Sequence, residues 1–298
     1  MKLPASAPTW ALLAGAALWG VVWYPFRLLA ATGLDGIWAT LFTYGVALAV
    51  GMAIFPREAA RLRTVPLLAV LMGLAIGWSN LAYVLGVLDG EVMRVLLLFY
   101  LAPLWTVPLA WIVLRERLDA TGFGVMALAF AGAMAMLWKP RLGVPWPTAR
   151  AEWLGLAAGF LFALGNVLIR RLHTMTDAGK SIVIWAGVTL AALVHLPASP
   201  LPAAAAWSAA ASRPVLVGAI GLSLVAMSLS LQYGLARMPA NRAIVILLSE
   251  LVVAAVAAYV LAGEALRAQD WIGGSLIVAA SAVSGWTQAR PREPAAGS

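Results

Sequence analysis

The sequence predicts an all-α integral membrane fold: ten transmembrane helices arranged as two inverted five-helix repeats around a central cavity. Three observations predict it. Of 298 residues, 63% are apolar and 11% charged, whereas soluble domains run at about half apolar and a quarter charged. The apolar residues gather into ten runs, each close to the ~17–25 residues that cross a bilayer core. The last five runs also repeat marks of the first five.

The first run, Trp10–Leu29, holds Trp10, Trp19 and Trp23, and indole rings favour the membrane interface. Lys2 and the small pair Ala30 and Ala31 also suit a cleaved signal peptide. Three Trp and a counterpart deep in the chain favour a permanent span instead. Ile37–Phe55 and Val65–Leu88 follow, separated by Arg57, Arg61 and Arg63. Val92–Leu114 contains Pro103 and Pro108, and Ala120–Trp138 closes the first unit, placed at 1–139. The second unit, 140–289, holds Trp153–Ile169, Ser181–Leu196, Val215–Ala236, Arg242–Ala262 and Trp271–Gln288. The Ala- and Pro-rich link from Pro197 to Pro214 is read as lying along the membrane surface. Residues 290–298 read as a disordered cytoplasmic tail.

The repeat shows as ordered coincidences. A shift of 148 lays Arg94 on Arg242, Glu116 on Glu264, Leu118 on Leu266 and Trp138 on Trp286. A shift of 143 lays Trp10 on Trp153 and Arg27 on Arg170, and one of 150 lays Tyr83 on Tyr233. A unit of five spans starts on one side of the membrane and ends on the other. Its second copy is therefore upside down, the inverted repeat of many secondary carriers. With the N-terminus inside, the inner segments hold 13 of the 20 Lys and Arg and the outer ones 7. Positive charge accumulates on the cytoplasmic side, so both termini are placed in the cytoplasm, with the chain in the inner (plasma) membrane.

Polar groups at membrane depth are costly and normally face the bundle interior or a wet cavity. Glu250 sits near the middle of the ninth span, with small Ala254 and Ala257 on its face. It reads as an anchor for an ammonium group or as a proton site. A protonated carboxyl bonded to a neighbouring helix is the plainer alternative. In the third span Gly73, Gly77, Asn80 and Tyr83 share one helical face. The eighth span answers with Ser223, Met227, Ser230 and Tyr233, and Gln232 adjoins them. These faces suit either a shared cavity or ordinary helix packing. Trp19, Trp23 and Phe26 form a stripe in the first span, and Asn166 is a buried-depth amide in the sixth. The candidate binding set is thus Trp19, Asn80, Tyr83, Tyr100, Asn166, Gln232, Tyr233, Ser249 and Glu250. Pro25, Pro103 and Pro108 each remove a backbone donor, and Pro25 and Pro103 are the expected hinges.

Other classes fit less well. The formal charge of +8 lies mostly in short links and does not call for nucleic acid. Cys is absent, which excludes disulfides and thiolate chemistry. A membrane enzyme would need a nucleophile, base or metal cluster. His173 and His195 lie at span ends without an acidic pair at metal spacing, so no catalytic residue, metal or cofactor is expected. A pore or a scaffold stays open as an alternative. The expected partners are the lipid bilayer and a small-molecule substrate.

The stretch from Tyr100-Leu-Ala-Pro103 to Leu114-Arg-Glu116-Arg-Leu118, and its counterpart from Leu248-Ser-Glu250-Leu to Gly263-Glu264-Ala-Leu266, resemble the fourth and ninth helices of EamA-type drug/metabolite transporters. That family often has Glu-Pro in the ninth helix. Leu251 stands in the place of that Pro, so no kink is expected there. Leu18-Trp19-Gly20 through Pro25-Phe26-Arg27, together with Leu-Ser-Glu250-Leu, resembles the YddG-type exporters of aromatic amino acids. The resemblance implies a ten-helix basket and efflux of aromatic amino acids or related flat compounds, and the inverted repeat suits alternating access. Efflux of drugs or other metabolites by the same fold is the alternative it leaves.

Overall fold

The computed structural model of the chain describes residues 6–89, 95, 98–116, 119–137, 147–262 and 268–289. Among the described residues every regular element is helical: α1 (Ala7–Ala30), α2 (Gly36–Ile54), the short α3 (Pro56–Ala60), α4 (Leu67–Asp89), α5 (Ala102–Leu114), α6 (Ala120–Leu137), α7 (Arg150–Arg171), α8 (Asp177–His195), α9 (Ala203–Ser212), α10 (Pro214–Leu235), α11 (Ala240–Leu247), α12 (Ser249–Ala262) and α13 (Ala268–Ala289). The expected unit boundary at 139–140, the tail 290–298, and Arg94, Leu118, Trp138, Glu264 and Leu266 lie outside the described residues.

Local chemistry sets several starts. The Asp35 carboxylate accepts the Trp38 backbone N–H at 2.9 Å and begins α2. The Thr176 hydroxyl accepts the Gly179 N–H at 3.0 Å and begins α8. Each such cap satisfies a donor that the first helical turn leaves over. Pro stands in the first turn of α1 and of α10, where a missing N–H costs nothing.

Among the described residues, six helices are long and apolar enough to cross a membrane: α1, α2, α4 over Leu67–Gly86, α7, α8 extended to Ala198, and α10. Shorter apolar helices at Ala102–Leu114, Ala120–Ala135, Val245–Leu261 and Trp271–Ala280 fall within the other four expected spans. Leu67, Ile112, Val215 and Trp271 turn outward and are exposed, as side chains facing lipid do. A helix satisfies its backbone internally, which bilayer hydrocarbon demands. The chain is an integral, multi-pass, all-α membrane protein.

Packing pairs the two halves of the chain. α4 packs on α7 and α8, α10 on α1 and α2, α5 on α7, and α12 on α1; α2 meets α8, and α6 meets α13. Exchanging the first five expected spans for the last five maps this set of pairs onto itself. The main core draws on both halves, with Leu12, Ala16, Met72, Ala163, Ile182, Trp185, Leu224 and Ile246 all buried in it. A second cluster joins Met126, Ala129 and Ala133 of α6 to Ile277 and Ala280 of α13 and to Val245 and Leu251.

The fourth and ninth spans are both interrupted. α5 begins after a turn at Tyr100 and Leu101, where the Leu104 N–H reaches back only three residues, to Leu101 O at 2.9 Å. Pro103 accounts for this, since it has no N–H for the preceding turn. The ninth span corrects the expectation drawn from Leu251. Its helix breaks without proline, between Leu247 and Ser249, and the Leu251 N–H likewise donates to Leu248 O at 3.1 Å. The two breaks, at Tyr100 and Leu248, are equivalent at the shift of 148. Tertiary packing supplies the reason: both pieces pack on α1 and α13, α12 chiefly on α1, whereas α11 packs on α5 and α6 as well.

Alternate links gather at opposite ends of the bundle. At one end the Ser199 hydroxyl donates to Asp35, and the Trp38 indole Nε1–H donates to Leu201 O at 3.1 Å. The link read as lying along the membrane surface contains α9, whose Ala206 and Ala210 are buried while Trp207 is exposed and lies 4.7 Å, centroid to centroid, from Phe42. At the other end Glu116 pairs with Arg170, and Asp177 with Arg237.

Candidate functional site

The interruption before α5 turns Tyr100 toward the ninth span. Its hydroxyl lies 3.2 Å from Glu250 Oε1 and donates to it. Tyr100 is buried, and Glu250 is partly buried in the first turn of α12. Aromatic rings extend the contact. Phe99 meets Tyr100 edge-on at 5.2 Å, Tyr83 at 5.3 Å and Phe162 at 5.4 Å between centroids. α4, the turn before α5, α7 and α12 therefore bring one carboxyl, two phenols and two phenyl rings together. Such a group offers flat apolar walls with a charged, hydrogen-bonding end.

Close backbone approach holds the frame. A Cβ on Gly20 of α1 would lie 2.8 Å from the Glu250 carbonyl oxygen and 2.9 Å from Val253 Cβ. Glycine is what lets α1 lie this near α12. Trp19, beside it, is partly buried against the main core. Ser249 is buried next to Glu250.

The other expected residues lie elsewhere. The third-span face is divided among partners. Gly73 meets the backbone of Val183 in α8, and the Asn80 amide donates to the Tyr44 hydroxyl of α2 at 3.2 Å. Of the residues on the matching eighth-span face, Ser223 is exposed on the bundle surface and Met227 is buried. Tyr233 belongs to the charged end, its ring 4.0 Å beneath the Arg237 guanidinium. Asn166 and Gln232 are buried, and Asn166 Nδ2 and Gln232 Oε1 lack hydrogen-bond partners among the described residues. Pro25 lies inside the continuous helix α1, whereas Pro103 opens α5.

Some residues were not among the candidates. Phe99, flanking Tyr100, joins the rings of three helices. Tyr44 partners Asn80, yet nothing in its apolar run marked it. Trp105, one turn into α5, keeps a buried Nε1–H without a partner among the described residues and meets Phe160 edge-on at 5.7 Å.

The charged end ties five helices together. Glu116, which the repeat pairs with Glu264, has Oε1 3.6 Å from Arg170 Nε and accepts the Ala240 N–H through Oε2 at 3.0 Å. Arg170 also donates to Ala236 O at 2.5 Å. Asp177 pairs with Arg237 at 2.6 Å and with the fully buried Lys180 at 3.4 Å. Among the described residues, two open cavities lie at this end. One of about 390 Å³ is lined by Leu114, Glu116, Arg170, Arg171 and His173. The other, about 230 Å³, lies between Glu58, Arg61 and Thr176. The centre, where sequence placed a chamber, is where Tyr100 and Glu250 close on each other.

Residues 149–286 match the EamA-like transporter family. No curated protein matches the chain. A solved structure described only as the crystal structure of a protein is similar in fold, with a TM-score of 0.72 at 20% identity over 95% of this chain and 99% of that chain.

Proposed function

We propose that the chain is a secondary transporter of the drug/metabolite type, with ten membrane-crossing segments in two inverted five-helix units. Its cargo is a small organic solute, and the finer reading is export of aromatic amino acids and related flat compounds by alternating access. Both termini lie in the cytoplasm in this reading.

The observation that carries it is the contact between Tyr100 and Glu250 inside the ring set of Tyr83, Phe99 and Phe162. A planar ring would replace those ring contacts, each worth ~0.5–1.5 kcal/mol beyond area burial. The solute's ammonium would take the Glu250 carboxylate. Trp19, Asn166, Gln232 and Ser249 are assigned to the walls of the opened chamber; Asn80 and Tyr233 border it. The family match over 149–286 has the extent of one five-helix unit and supports the carrier reading. The self-mapping set of helix pairs and the equivalent breaks at Tyr100 and Leu248 support the two-unit architecture. Rocking of one unit against the other would expose the centre to each side in turn.

The test is efflux of tritiated Phe from proteoliposomes. Saturable flux above that of empty vesicles is expected, competed by Tyr and Trp. Equal flux in both vesicle types overturns the proposal.

A further inference from the structure

The larger cavity is not used by the transport reading. It lies at the ends of α5 and α7, lined by Leu114, Glu116, Arg170, Arg171 and His173, and holds about 390 Å³. Its charges do not cancel. Glu116 is already engaged by Arg170 and by the Ala240 N–H, and Arg170 by Ala236 O. The guanidinium of Arg171 is exposed and has no protein partner among the described residues. His173 is held beside it, its Nδ1 3.0 Å from the Arg171 carbonyl oxygen. A carbonyl only accepts, so Nδ1 carries the proton and donates there.

The surroundings are apolar on one side. Trp111 and Ile112, on the last turn of α5, are 57% and 68% exposed and face lipid in this chain. Leu114, which lines the pocket, ends the helix turn that carries Trp111 and Ile112, so cationic and apolar groups lie within one turn of each other and suit an amphiphile with an anionic head. A soluble anion would gain nothing from the apolar side.

We propose that this pocket binds the phosphate headgroup of an anionic phospholipid, with the Arg171 guanidinium and, in the imidazolium form, the His173 Nε2–H donating to the phosphate, and the acyl chains along Trp111 and Ile112. The proposal rests on the chain lying in a bilayer and does not depend on which solute, if any, it carries.

The test uses the full chain in nanodiscs of phosphatidylcholine, of phosphatidylcholine with phosphatidylglycerol, and of phosphatidylcholine with glycerol phosphate in the buffer. Native mass spectrometry counts retained lipid, and thermal melting reads stability. Phosphatidylglycerol should be retained through delipidation and raise the Tm by several degrees. The double variant Arg171→Ala, His173→Ala should weaken that retention about tenfold or more, the loss of a charge-assisted contact. Arg213→Ala, at the opposite end, should leave it unchanged. Should the double variant fail to fold, Arg171→Gln alone should still lower retention. Equal retention of the two lipids by the parent chain overturns the proposal, as does equal retention by parent and variants. A full Tm shift with glycerol phosphate alone also overturns it, by assigning the pocket to a soluble anion.

Discussion

The carboxylate of Glu116 caps a helix that is not its own: its Oε2 accepts the backbone N–H of Ala240 at 3.0 Å, where α11 begins. An acid from the link after α5 thus closes the N-terminus of a helix in the other half of the chain. Its second oxygen faces Arg170.

Glu116→Ala removes this cap and should lower stability by about 1–2 kcal/mol, the range for losing a helix cap. Glu116→Gln keeps an acceptor for Ala240 and loses only the partly exposed ion pair, worth about 0–1 kcal/mol. Thermal melting of the two variants in one detergent checks the order. Equal losses would remove the capping role.

Tyr100→Phe deletes the hydroxyl that reaches Glu250 and leaves the ring set in place. A hydrogen bond to a charged group is worth ~1.5–3 kcal/mol, so the variant should melt lower and Phe flux should fall about tenfold. Glu250→Gln keeps an acceptor for Tyr100 and removes the charge, and should cost at least as much flux. Flux under a pH gradient decides whether Glu250 also carries protons. An unchanged rate in Glu250→Gln would exclude coupling through this residue.

Gly20→Ala and Gly45→Ala should diverge. A Cβ at Gly20 meets the Glu250 carbonyl and Val253 inside van der Waals contact, whereas nothing lies within 4 Å of one at Gly45. Overpacking costs about 1–3 kcal/mol, so the first variant should melt lower. The second gains helix propensity, up to ~1 kcal/mol, and should melt at the same temperature or higher. Similar shifts in both would contradict the close approach of α1 to α12.

The chain has no Cys, so single Cys variants report sidedness directly. Thr64→Cys and Thr174→Cys, both at exposed positions, should react with a membrane-impermeant maleimide only from the cytoplasmic side. Ala31→Cys and Arg213→Cys should react only from the other. Labelling of Thr64→Cys and Arg213→Cys from the same side would refute the threading.

The sequence carried the spans because lipid imposes a length and a composition on any helix that crosses it. It marked Glu250 and Tyr100 because polar groups at that depth are conspicuous. It also marked the break in the fourth span, through Pro103. The break at Leu248 carried no local signal, since nothing in Ile-Leu-Leu248-Ser-Glu disfavours helix; differing neighbours on either side of it decided it. Asn80 read as part of a cavity wall because helical spacing gives a face and not the partner, and the partner was the hydroxyl of Tyr44.

By itself, then, the sequence determined that this chain is a helical membrane protein with costly polar groups in its spans. Hydrophobic length and the price of stranding charge in lipid are properties of each segment alone. Only the tertiary structure decided that Tyr100 meets Glu250, that Glu116 caps α11, and that Tyr233 sits with Arg237 instead of at the centre. Such pairings depend on which helices touch and how they are rotated, and that is fixed by close contacts such as Gly20 on α12, made between segments far apart in the chain.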